Sequence, residues 1–158
     1  MDPDVGGPTS EQKLASSIAK TIFRINGQLV EVAEHFARPA GLTAAWWRVL
    51  GGVIDEPLPV SEISRRFGVT RQSVQPVADL LVERGLAEYR PNPAHRRAKL
   101  VAITDEGRAA VRRIGPAHRA WSERLVAELG QATLEHTLAD LVHLADAIAA
   151  VAAEQPVA

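Results

Sequence analysis

Residues 58–104, LPVSEISRRFGVTRQSVQPVADLLVERGLAEYRPNPAHRRAKLVAIT, decide the fold. Ser64 stands four positions before Gly68, small residues where two helices can cross closely and the chain can turn sharply. Ile63, Phe67, Val69, Val74, Val77 and Leu81 are spaced to give two short helices, 60–67 and 70–83, one shared apolar face. The expectation is a helix-turn-helix with these six side chains as its small core. Thr70 is placed to cap the second helix, and Arg84-Gly85 to end it with Gly85 in the left-handed cap position. Two strand-like runs follow, 86–90 and 98–103. Between them lies Pro91-Asn92-Pro93-Ala94-His95-Arg96-Arg97, so the pair reads as a β-hairpin with a long basic loop.

This arrangement leaves Arg71, Gln72, Gln75 and Asp79 facing outward from the second helix. The N-terminal half of such a helix fits the major groove, where arginine pairs with guanine and glutamine with adenine. Its capped N-terminus also offers backbone N–H groups to a phosphate. An arginine on a projecting loop beside it can enter the narrow minor groove. The expected DNA contacts are therefore Thr70, Arg71, Gln72, Ser73 and Gln75 on the helix, with His95, Arg96 and Arg97 on the wing. Charge points the same way. Residues 61–99 hold eight basic against four acidic side chains, in a chain whose net charge is −1. A local basic block on an acidic body suits a polyanion-binding face.

Outward from this middle part, 41–104, the flanks are helical. Residues 10–37 repeat Leu14, Ile18, Ile22, Ile25, Leu29, Val32 and Phe36 at steps of three and four, with Ser10 as cap. Pro39 ends that helix, and residues 10–40 form an N-terminal dimerisation helix. Thr43 can cap a further helix over 44–54. On the C-terminal side, Thr104 precedes a helix over 105–129, expected to kink at Pro116. A last helix over 132–153 carries Leu134, Leu138, Leu141, Leu144, Ile148 and Val151. Residues 105–153 are read as C-terminal dimerisation helices, and 1–9 and 154–158 as disordered tails. Three long helices make a shallow core alone, and a second copy would bury their stripes far better. The expected assembly is a homodimer of mainly α chains, each with a small β-hairpin wing.

The run GLTAAWWRVLGGV at 41–53, continued by the 58–104 segment and DEGRAAV to residue 111, resembles the MarR family of winged helix-turn-helix transcriptional regulators. The resemblance implies a homodimer on a pseudo-palindromic double-stranded DNA operator. It also implies repression in most cases, relieved by a small aromatic or phenolic effector held between domains. Two residues depart from the family pattern. His95 stands where an aspartate usually supports the wing arginine, here Arg97. Pro76 lies inside the recognition helix and removes its bond to Gln72. Both keep open the alternative of a dimeric protein-interaction module without specific DNA binding.

Six further residues are candidates for an effector pocket: Phe23, His35, Phe36, Trp46, Trp47 and Trp121. Trp46 and Trp47 are neighbours on a helix, so they point about 100° apart and cannot both face one core. No metal is expected. His136 and His143 lie about 10 Å apart along a helix, too far for one ion, and Glu31 with His35 is half a site at most. No cofactor or catalytic residue is expected either, since the P-loop, G-x-S-x-G, H-E-x-x-H and dinucleotide fingerprints are missing. The chain has no cysteine, which excludes disulfides and thiol redox sensing. Without a membrane-spanning run or an N-terminal signal pattern, the expected location is the cytoplasm.

Overall fold

A computed structural model describes residues 7–154; of the tails expected at 1–9 and 154–158, residues 1–6 and 155–158 lie outside the described residues, while Glu154 ends the last helix. Helix α1 (Ser10–Ala37) leads through a short 3₁₀ turn (Arg38–Ala40) into α2 (Ala44–Gly52). Strand β1 (Leu58–Pro59), α3 (Val60–Arg66), α4 (Arg71–Glu83), β2 (Ala87–Arg90) and β3 (Leu100–Ile103) form the compact middle. Helices α5 (Asp105–Leu129) and α6 (Gln131–Glu154) complete the chain.

Local chemistry sets the helix starts. Thr9, not Ser10, caps α1. Its Oγ1 accepts from the Gln12 N–H at 3.3 Å, and the Gln12 side chain accepts from the Thr9 N–H at 2.8 Å. This is a reciprocal capping box, which the Thr-x-x-Gln spacing encodes. Thr43 and Thr70 cap α2 and α4 at the expected places. Thr104 Oγ1 accepts from the Gly107 N–H and donates to the Gly85 carbonyl at 2.7 Å, which ties α5 to the end of the helix-turn-helix. Gly107 itself has no alternative. A Cβ there would lie 2.0 Å from the Leu86 carbonyl oxygen.

The three strands form one antiparallel sheet in the order β1-β3-β2. Tyr89 pairs with Val101 and Arg90 with Leu100. Leu58-Pro59, read from sequence as the end of an extended link, pairs with β3 on its other side, Leu58 opposite Val101. The wing loop is longer than expected, because β3 begins at Leu100 rather than at Ala98.

Contacts divide the chain into two compact units, one ending at Ile114 and one starting at Gly115. The first unit thus includes the opening turns of α5, beyond the boundary expected at 104–105. Its core is built on Leu50, Val53, Ile63, Leu81, Val101 and Ile114. Phe67, expected in the helix-turn-helix core, is 40% exposed, and its ring lies against Gly52 of α2, where a Cβ would come within 2.8 Å of it. Arg108 and Arg113 on α5 donate to the Ile54 and Ala40 carbonyls, at 2.7 and 3.1 Å.

Beyond Ile114 no described residue is buried. Helix α6 exposes Leu138, Leu141, Ile148 and Val151, and the first half of α1 exposes Leu14 and Phe23. By length and composition α6 also meets the requirement for crossing a membrane, which the sequence reading did not register, although it carries Asp140 and Asp146. Both helices with an internal proline run on as single helices, α5 through Pro116 and α4 through Pro76. The kink expected at Pro116 does not end or divide α5. Each proline removes one hydrogen bond, to Arg112 and Gln72 respectively.

Candidate nucleic-acid interface

The two helices of the motif meet through Ser64, a buried polar side chain whose hydroxyl donates to the Ser61 carbonyl at 2.9 Å. The Val69 N–H then donates back to the Ser64 carbonyl at 3.0 Å, across Gly68 at φ 61°, a left-handed geometry that glycine adopts without strain. This turn sets α4 with Val74, Ala78 and Leu81 inward. Thr70, Arg71, Gln72, Ser73 and Gln75 are all exposed. Thr70 and Ser73 are joined in the cap, the Ser73 N–H donating to Thr70 Oγ1 and the Ser73 hydroxyl to the Thr70 carbonyl.

The wing is held locally. Asn92 Oδ1 accepts from the Ala94 N–H at 3.0 Å, and the backbone of His95 bonds to Asn92 on one side and Ala98 on the other. This turn supports the loop at His95, the position where the resemblance led to the expectation of an aspartate. His95, Arg96 and Arg97 are exposed on it.

The basic residues of this region differ in what holds their charged ends. Arg65, Arg66 and Arg90 each lie 2.6 Å from a glutamate, namely Glu62, Glu56 and Glu88. Arg84 lies over the Trp46 ring and Lys99 over the Tyr89 ring. The guanidinium groups of Arg71, Arg96 and Arg97 have no partner among the described residues. Arg71 and Gln75 from α4 and Arg97 from the wing share the wall of one cleft of about 480 Å³. Thr70, Gln72, Ser73, His95 and Arg96 lie outside that wall.

Tyr89 joins the same cleft and had no place in the sequence reading. Gln75 Nε2 donates both to Asp79 Oδ1 and to the Tyr89 hydroxyl, each at 2.9 Å. The Tyr89 hydroxyl in turn donates to Asp79 Oδ1 at 2.5 Å. Burial, the hydrogen bond to Asp79 and the charge of Asp79, in that order, push the Tyr89 phenol up to about 12. The i, i+4 spacing of Gln75 and Asp79 signals half of this network. The strand residue does not announce itself.

The six aromatic candidates separate. Only Trp47 lines the second cleft, about 520 Å³, which α1 and α2 form with Leu29, Val30, Arg48, Gly51 and Phe67. Phe36 is buried edge-on to Trp47 at 6.3 Å, and His35 lies edge-on to Phe36. Trp46 meets Arg84 instead, as adjacent helical positions require. Phe23 is 75% exposed, and Trp121 belongs to the second unit, stacked on His118. Sequence reasoning overlooked Arg48 and Phe67, because their neighbours on α1 are remote in the chain. Among the described residues no three metal-ligating side chains cluster.

A model of the MarR family matches residues 40–98. An uncharacterized protein of Mycobacterium tuberculosis is 38% identical over 135 residues, which cover 85% of this chain and 92% of that one. The transcriptional repressor CouR, solved bound to a 23-mer DNA duplex, is similar with a TM-score of 0.71 and 26% identity, over 88% of this chain and 99% of that one. The MarR family transcription regulator SP03579 has the same fold, with a TM-score of 0.73 at 18% identity over 92% of this chain and 97% of that one.

Proposed function

This chain belongs to the MarR family of DNA-binding transcription regulators, and on that premise we propose that it is a cytoplasmic repressor that grips an inverted-repeat operator as a homodimer. The carrying observation is the set of three unpartnered guanidinium groups, Arg71 on the capped helix and Arg96 and Arg97 on the wing. Helix α4 enters the major groove with Arg71, Gln72 and Gln75 toward base edges. Thr70 and Ser73 present the helix N-terminus to a phosphate. Arg97 is the main wing contact, flanked by Arg96 and His95. CouR, similar over most of its length, is a repressor solved on DNA. The uncovered apolar faces of α1, α5 and α6 supply the dimer contact.

Selection of bound duplexes from a random pool tests this reading. An enriched inverted repeat is expected, with retention falling steeply as salt rises. A pool that does not enrich sinks it.

The effector is an aromatic or phenolic acid in the α1–α2 cleft, its ring against Trp47 and Phe67 and its carboxylate on Arg48. Such a ligand releases DNA only through a preference for the non-binding arrangement, tenfold being worth about 1.4 kcal/mol per site. Gly51 lines this cleft, and a Cβ there meets nothing within 4 Å. Gly51→Leu should therefore fill the space, abolish tryptophan quenching by salicylate-like acids and leave operator binding intact. Equal quenching of parent and variant places the ligand elsewhere.

A further inference from the structure

The Gln75–Asp79–Tyr89 network fixes which face Gln75 can show a base. A carboxylate only accepts, so the edge of the Gln75 amide toward Asp79 is its NH₂. The Tyr89 proton is committed to the same carboxylate oxygen at 2.5 Å, so the phenol oxygen can only accept from Gln75. Both contacts come from Nε2, at 2.9 Å each, so the nitrogen end of the amide is turned into the Asp79–Tyr89 pair. The carbonyl oxygen Oε1 is left without a partner among the described residues. The orientation thus follows from the chemistry of the three groups. Arg71, Arg97 and Lys99 line the same cleft, so the Asp79 charge is offset where phosphates approach.

A free glutamine reads adenine with both ends of its amide, donating to N7 and accepting from N6. In Gln75 the nitrogen end is held by Asp79 and Tyr89, and the accepting end is the one left to present. We propose that Asp79 and Tyr89 hold Gln75 as an acceptor-only reader, so that its position in each operator half-site takes a base with a major-groove amino group, adenine or cytosine alike. Guanine and thymine turn acceptor atoms to that position and are rejected. This rests on α4 being the groove helix. Asp79 and Tyr89 are positioning residues, acting on DNA through Gln75.

Duplex selection with the parent, Gln75→Ala, Tyr89→Phe and the double variant Asp79→Ala/Tyr89→Phe tests the proposal. Gln75→Ala identifies the column by flattening it. In the parent that column should hold adenine and cytosine at comparable frequency, with guanine and thymine depleted. The double variant frees the amide, so adenine should rise over cytosine by about fivefold or more, the return of two-ended pairing. Tyr89→Phe, which keeps the ring in place, should move the column the same way by less, so poor folding of the double variant cannot conceal the effect. A parent column of adenine alone, or a double variant with the parent's profile, overturns the proposal while leaving DNA binding standing. A parent pool with no inverted repeat overturns both.

Discussion

The unit ending at Ile114 and the helix α6 are built from the same apolar residue types, yet only the first buries them within one chain. Leu50, Ile63, Leu81 and Ile114 are closed off completely, whereas α6 has no buried residue. The difference lies in geometry. In the first unit a sheet, a turn, four helices and the opening turns of α5 return on one another, and over the single stripe of α6 no described residue closes. A core and an interface can therefore share a composition, and partners decide which is which.

The comparison would break first at Gly107. Gly107→Ala sets a methyl against a backbone carbonyl that cannot move aside, so the first unit should lose about 3 kcal/mol or more. Calorimetry should show a fall on the order of 10 °C, independent of protein concentration. A change within a degree or two would mean that α5 docks differently.

Next comes Ile148→Glu, which places a charge on the α6 stripe. The winged unit should stay folded while light scattering falls from twice the chain mass toward 17.0 kDa. A parent already monomeric at micromolar concentration, or a variant that unfolds at every concentration, would contradict the assignment of that stripe to a second copy.

The smallest effect sharpens the winged side. Tyr89 is the only tyrosine of the chain, so its ionisation can be followed in the ultraviolet. Its pKa is raised in the folded state, from 10.0 to about 12. The stabilisation linked to it is complete below pH 10 and is lost as pH rises through about 12. At pH 11 the parent should keep the phenol protonated, while Asp79→Asn moves its ionisation toward 10. Coincident titrations would show that Asp79 does not hold the hydroxyl.

What could be read in the sequence was what neighbours in the chain determine. The motif over 60–83 was legible because Ser64, Gly68 and Thr70 set their turn through bonds three to five residues long. The apolar stripes of α1 and α6 were legible because helical periodicity repeats. Strand β1 was not, since two residues carry no period and their partner lies some forty positions on. Phe67 was assigned inward by spacing alone, whereas its ring lies against Gly52 of α2, a neighbour no local pattern reveals. The six aromatics suggested one pocket, but each follows its own helix face, and Trp47 alone reaches the cleft. The Gln75–Tyr89 bond joins a helix to a strand fourteen residues away, beyond any local pattern.

The central claim is that unpartnered arginines, rather than basic charge in general, hold the operator. Two triple variants with equal loss of charge test it: Arg71→Ala/Arg96→Ala/Arg97→Ala against Arg65→Ala/Arg66→Ala/Arg90→Ala. Affinity for the selected operator should be measured from low to high salt. The first triple should lose most of the specific affinity, and its plot of log K against log salt should flatten by about 0.9 for each phosphate contact removed. The second, whose arginines are held by Glu62, Glu56 and Glu88, should keep the parent slope. Equal losses from both triples would contradict the claim.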